Sequence, residues 1–196
     1  MAAATDLWDD LLEKSVVGSF TTLGYKLRSR QWNEIPADSL AGRTVLITGA
    51  TSGIGEVVAF EAARLGARLR IVARNVDKVQ SLREDLISAT GNDDIGDYIA
   101  DLSLMSEVSR VSDEILEGEP DIHVLINNAV ILPQKRTMTA EGLELSHATN
   151  LVAPFLLTNL LLETLKARAP PRIVNIASRG HSRSMDFYNL QGENMF

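Results

Sequence analysis

RTVLITGATSGIGEVVAFEAARLGARLRIVARN, residues 43–75, is the stretch that decides the fold. An apolar β-branched run, Val45–Leu46–Ile47, ends in a turn with glycines at 49, 53 and 55. A helical pattern opens directly after it, and a second apolar run, Leu69 to Val72, follows Gly66. This order predicts strand, glycine turn, helix and parallel strand as one unit. Gly49 suits the tight turn, Gly53 a close backbone approach by a pyrophosphate, and Gly55 close packing of helix on strand. The helix N-terminus adds N–H donors and partial positive charge. The spacing is G-x-x-x-G-x-G without a following G-K-[ST], which disfavours triphosphate chemistry.

Working outward, the same alternation continues. Strands are predicted at 43–48, 68–73, 95–100, 123–126 and 172–177, and helices at 53–65, 75–89 and 104–117. A long helix over 140–167 is expected to be interrupted or kinked near Pro154. Short apolar strands separated by helices give an α/β fold, a doubly wound parallel sheet with right-handed crossovers and helices on both faces. At least one further strand is expected after residue 178, where periodicity fades, so the domain at 40–196 reads as incomplete at its C-terminus.

Residues 1–39 read as an N-terminal amphipathic extension and linker. Leu7, Trp8, Leu11, Leu12, Val16, Val17, Phe20, Leu23 and Leu27 recur at helical steps through 6–28, with acids before them and Lys26, Arg28 and Arg30 near the end. Such a helix suits an appendage packed on the domain, a lid, a dimer contact or a membrane-surface anchor. No apolar run approaches a membrane span of about 18 residues, and the acidic start is unlike a signal peptide. The net charge of −7 argues against non-specific nucleic-acid binding. With no cysteine there is no thiolate chemistry, and the three histidines make no metal spacing. The expected setting is cytoplasmic, with or without peripheral membrane contact through 6–28.

Chemistry-bearing residues fall at strand ends. After strand two come Ala73 and Arg74, where an NAD site would place an acid for the ribose 2′-hydroxyl; a guanidinium there favours NADP(H) over NAD(H), unless Arg74 is simply an exposed loop residue. Asp101 ends strand three, placed to meet an adenine or to cap the next helix, a task Ser103 shares. The pair Asn127–Asn128 follows strand four and suits either backbone bracing or an ordinary loop. Ser178, after strand five, can steady a substrate oxygen. Asn150, in the long helix, can hold backbone or water in a proton path. Packing and loop roles fit both equally.

TGATSGIG, Ala73–Arg74, Asp101–Leu102, NNAV at 127–130, Asn150 and RIVNIAS ending at Ser178 together resemble the short-chain dehydrogenase/reductase family, whose fold is of the Rossmann type. The ARN of 73–75, the T-x-x-G-L-E of 139–144 and the N-L-Q of 189–191 are similar to its retinol-dehydrogenase-like branch. The resemblance implies hydride transfer between NADP(H) and an alcohol, aldehyde or ketone. It implies that Gly49, Ser52, Gly53, Ile54 and Gly55 cradle the pyrophosphate, Arg74 meets the adenosine phosphate, and Asp101 with Leu102 meets the adenine. Asn127 and Ala129 would line the ribose and central sheet, Ser178 would orient the substrate oxygen, and Asn150 would support a proton relay. No metal is implied, and a homo-oligomer is compatible.

Two departures stand out. Val130 takes a place where the family usually has glycine, and the family's catalytic Y-x-x-x-K pair is not found: Tyr188 is followed four positions on by Gly192. The expectation is therefore a fragment or truncated form of such an enzyme, inactive alone. The alternative is a catalytically inactive dinucleotide-binding or protein-interaction module.

Overall fold

The structure is a computed structural model that describes residues 21–30, 32–33, 35–167, 170–178 and 186–194. The chain divides into two compact units, Met1–Pro36 and Ala37–Phe196. Of the helix expected over 6–28, residues 6–20 lie outside the described residues. What is described is α1, Thr22–Ser29, its N-terminus capped by the Thr21 hydroxyl. In the same unit the rings of Tyr25 and Trp32 meet edge to face at 5.4 Å, and Leu23, Tyr25, Trp32 and Ile35 are all exposed.

In the second unit the alternation becomes β1 (Thr44–Thr48), α2 (Gly53–Arg64), β2 (Arg68–Ala73), α3 (Val76–Thr90), β3 (Ile95–Ile99), α4 (Met105–Gly118) and β4 (Val124–Asn127). Then come α5 (Leu145–His147), a π-helical turn (Ala148–Val152), α6 (Ala153–Leu160), α7 (Leu162–Lys166) and β5 (Arg172–Asn175). All neighbouring strands pair in parallel, in the order β3-β2-β1-β4-β5. This is the doubly wound, Rossmann-type arrangement, and its order reverses between β1 and β4.

Side chains alternate along the inner strands, so β1, β2 and β4 feed two cores. Val45, Ile47, Leu69 and Ile71 pack with Ala59, Ala63, Val79, Leu82 and Leu86 of α2 and α3. Leu46, Val72 and Leu125 pack on the other face with Val108, Val111 and Ile115 of α4 and Leu157, Leu161 and Leu165 of α6 and α7. Each fully buried Leu or Ile stabilises the fold by roughly 1.5–3 kcal/mol. Helices on both faces leave the strand ends as the open edge of the sheet.

The 140–167 stretch differs most from expectation. Residues 137–144 form a tight hairpin, with Thr139 N–H donating to the Leu143 carbonyl and Gly142 at φ 78°. Helix starts only at Leu145, where the Glu144 carboxylate caps the His147 N–H. The interruption falls near Pro154 as expected, as the π-helical turn just before it. Proline has no N–H to give the preceding turn, and Ala153 N–H reaches back to the Ala148 carbonyl instead.

β5 is one of the sheet's two edge strands among the described residues, β3 being the other, and all four residues of β5 are exposed, Ile173 and Val174 included. Among the described residues no helix is long and apolar enough to cross a membrane.

Candidate functional site

At the C-terminal ends of β1 and β4 the backbone is stitched by Thr48 and Asn128. The Thr48 Oγ1 accepts from the N–H groups of Asn128 and Ala129 at 3.1 and 3.0 Å. The buried Asn128 amide donates to the carbonyls of Thr48 at 3.1 Å and Gly49 at 2.9 Å. Close packing there explains two of the glycines. A Cβ on Gly49 would lie 2.7 Å from the Ala129 Cα, and one on Gly55 would strike the Asn128 amide and the Gly49 carbonyl.

Gly53 is different. It opens α2 at φ 61°, and a Cβ there would meet nothing within 4 Å. Gly53 is one of the residues that line a cavity of about 550 Å³. Ser52, at the helix N-cap, makes no side-chain cap bond, so no side chain of the cap covers the leading N–H groups of α2. An uncapped helix start beside a cavity has the N–H donors and partial positive charge that an anion can use.

The cavity runs from the glycine turn across the ends of β2 and β3. Its walls include Thr51, Ala73, Arg74, Asn75, Lys78, Asp101, Leu102, Ala129 and Val130. Arg74 is well exposed, with its guanidinium 4.0 Å from the Asp101 carboxylate. Asp101 itself accepts from the Ser103 N–H at 3.0 Å. Neither Asp101 nor Ser103 caps α4, however. That cap comes from Glu141, whose carboxylate takes the N–H groups of Met105 and Ser106 and the Ser106 hydroxyl. The Ser106 hydroxyl bond, with the two backbone bonds, holds the Glu141 carboxyl below its ordinary pKa.

A second cavity of about 520 Å³ lies beside the first and shares Leu102, Ala129, Val130, Thr149 and Ile176 with it. Asn127 opens here rather than onto the first cavity: its amide donates to the Thr158 hydroxyl at 3.1 Å and to the Asn175 side-chain Oδ1 at 2.8 Å, tying β4 to α6 and β5. The Asn127 Oδ1 is buried with no hydrogen-bond partner. Asn150 sits in the π-helical turn and clamps the Ile131 backbone twice, donating to its carbonyl at 2.8 Å and accepting from its N–H at 2.9 Å. Leu151, Pro154 and Phe155 give this cavity an apolar wall. Ser178 follows Ile176 and Ala177, which line the cavity, and is exposed just past them.

Of the sequence-derived set, the structure gathers Gly49, Ser52, Gly53, Ile54, Gly55, Arg74, Asp101, Leu102 and Ala129 around one cavity. Asn127 and Asn150 stand at the second, and Ser178 at its margin. Thr48 and Thr51 enter the sequence reading only as members of TGATSGIG, Asn75 only as the end of ARN and Asn128 only as half of an amide pair, while Lys78 does not enter it. Asn75 and Lys78 had a signal: an Asn three residues before a Lys at a helix start is cap spacing, and the Asn75 Oδ1 does accept from the Lys78 N–H at 2.8 Å. Val130, where a glycine was expected, is 68% exposed and lines both cavities. Tyr188 is fully solvent-facing, its N–H bonded to Asp186.

A parallel sheet with a glycine-turn cavity at its switch point defines a dinucleotide-binding α/β protein. Residues 43–188 match the family model for short chain dehydrogenases, and the chain belongs to that family of oxidoreductases. Its relatives put it in the retinol-dehydrogenase-like branch. It is 39% identical over 158 residues to human (Homo sapiens) retinol dehydrogenase 11, covering 80% of this chain and 50% of that one. It is 40% identical over 153 residues to human dehydrogenase/reductase SDR family member 13, covering 78% and 40%. The chain thus spans about half the length, or less, of the curated relatives it matches. Among solved structures it is similar to a metagenomic short-chain oxidoreductase in complex with NADP, with TM-score 0.65, 30% identity, and 72% of this chain and 64% of that one covered. The Pseudomonas aeruginosa RhlG/NADP active-site complex matches with TM-score 0.62 and 30% identity over 74% and 58%.

Proposed function

We propose that this chain supplies the cofactor half of an oxidoreductase that transfers hydride between NADP(H) and an alcohol or carbonyl substrate. The observation that carries the reading is Gly53, which lines the cavity at an uncapped helix start, with a positive φ and open space where a side chain would stand. The pyrophosphate would rest there, on the backbone of Gly49 and of Ser52 to Gly55. Arg74 would pair with the 2′-phosphate, because β2 ends in Ala73 and Arg74 rather than in a carboxylate. Asp101 and Leu102 would border the adenine. When bound, the nicotinamide is the group that gives or takes the hydride. Ala129 and Val130 would border its path, and Asn127 would hold β4, β5 and α6 together beneath it.

On the substrate side Ser178 would orient the oxygen. Asn150 would hold the Ile131 loop in place, so its contribution to any proton path is one of positioning. Leu151, Pro154 and Phe155 favour an apolar substrate. The N-terminal residues 1–39 are proposed as an appendage that brings the domain to a partner or a membrane surface.

A second reading, a dinucleotide-binding chain without turnover of its own, is supported by one feature. None of the three tyrosines within these 196 residues has a lysine four positions on. Calorimetric titration of the chain with NADPH and NADH tests what both readings share. The expected result is binding of both with NADPH the tighter, and Arg74→Ala removing most of the difference. No binding of either would overturn both. Hydride transfer by this chain alone would overturn the second.

A further inference from the structure

We propose that Val130 is a specificity-determining side chain that narrows the passage between the two cavities and holds back the nicotinamide end of the cofactor, leaving the adenosine end untouched. The assignment rests on the cofactor reading above and adds to it the residue that decides how deeply the dinucleotide enters.

The two cavities meet at a shared wall of Leu102, Ala129, Val130, Thr149 and Ile176. The glycine turn, Arg74 and Asp101 line only the first cavity, and Leu151, Pro154 and Phe155 line only the second. Hydride transfer needs reacting atoms about 3–3.5 Å apart. A cofactor held in the first cavity and a substrate held in the second would therefore react where the wall is shared. Arg74 and Asp101, which would take the adenosine end, lie outside that shared wall.

Val130 is the most exposed of the five shared residues, at 68% against 39% for Ile176, while Thr149 is buried and Leu102 and Ala129 are half-buried. Its side chain stands in open space rather than in the core. Nor can its backbone draw back, because both neighbours are held. The Ala129 N–H donates to the Thr48 hydroxyl at 3.0 Å on one side. On the other, Asn150 accepts from the Ile131 N–H at 2.9 Å and donates to the Ile131 carbonyl at 2.8 Å. A β-branched side chain also has few rotamers to escape into. A nicotinamide ring entering the shared region would meet a methyl-bearing side chain fixed in place. Glycine, the residue expected at this position, would leave the passage clear.

The test is calorimetric titration of the 196-residue chain, unaltered and as Val130→Gly, Val130→Ala and Val130→Leu, with NADPH, NADH and adenosine 2′,5′-bisphosphate, which carries the adenosine end alone. Val130→Gly is expected to tighten NADPH and NADH by a common factor of roughly three- to ten-fold, the low end of what overpacking costs, and to leave the bisphosphate unchanged. Val130→Ala should fall between the parent and Val130→Gly. Val130→Leu should weaken both dinucleotides without affecting the bisphosphate. Val130 is exposed, so its replacement leaves the core intact, and the bisphosphate reports whether the adenosine site of each variant is folded. Dinucleotide affinities unchanged or weakened in Val130→Gly, beside intact bisphosphate binding, would overturn the assignment. An equal change for all three ligands would overturn it too, because it marks a general effect on the loop. If the unaltered chain binds neither dinucleotide, the cofactor reading itself fails and this assignment falls with it.

Discussion

Replacing Gly53 with alanine separates what the glycine turn does for the fold from what it does for a ligand. Gly53 lies at φ 61°, where an L-residue costs about 1 kcal/mol more than glycine. Nothing lies within 4 Å of the added methyl, so no clash adds to that cost. For a domain of this size, about 1 kcal/mol lowers the melting temperature by roughly 2–4 °C. Gly53 does line the cavity beside the first N–H groups of α2, where the pyrophosphate would approach and an added methyl would stand in its way. Losing that approach is expected to weaken NADPH by ten-fold or more, about 1.4 kcal/mol per factor of ten. Gly55→Ala is the contrast. Its methyl would strike the Asn128 amide and the Gly49 carbonyl, so overpacking should cost the fold about 1–3 kcal/mol before any ligand is added. Thermal unfolding and calorimetric titration of both variants read the two effects apart. A Gly53→Ala chain that melts slightly lower yet binds NADPH as tightly as the parent would refute the reasoning, because the cradle would then not be where Gly53 opens.

Two further outcomes follow from the same geometry. Glu119 is buried at the end of α4 and pairs with Arg70 and, at 3.5 Å, with Arg68, both of which also reach Asp94, so Glu119→Ala removes one of two carboxylates from these guanidinium groups and should cost about 1.5–3 kcal/mol in urea unfolding. Glu141 has its pKa held below 4.5 by the Ser106 hydroxyl and the backbone bonds at the start of α4. A depressed folded pKa means that its stabilisation is complete above the unfolded value and is lost as pH falls through the folded one. The protection of the Met105 and Ser106 amides against hydrogen exchange, relative to the intrinsic rate at each pH, should therefore fall below about pH 4.5 in the parent and be lower already at neutral pH in Glu141→Gln.

Much of this was legible in the chain because local chemistry and tertiary role coincide there. β1, α2 and β2 fall within a residue of expectation, since apolar runs and glycines fix both the strand ends and the crossover. Arg74 could be found because it directly follows a strand. The 140–167 stretch was misread at its start because its apolar period runs on through Thr139 and Gly142, while the hairpin there depends on a positive φ and a cross-turn pairing of Met138 with Glu144. The cap of α4 was out of reach for a different reason. Glu141 lies 36 residues from Met105, and no local pattern announces a cap supplied from another loop. Asn127 and Asn128 are adjacent and alike in sequence, yet one faces β5 and the other the glycine turn, because successive residues leave a strand on opposite sides.

The most direct test of the central claim is a map of backbone amide shifts, by nuclear magnetic resonance, as NADPH is added to the 196-residue chain. The account predicts the largest changes at Gly49 to Gly55, at Arg74 to Lys78 and at Asp101, with smaller ones at Ala129 and Val130. Saturable changes confined to other surfaces, or none at the glycine turn, would contradict it.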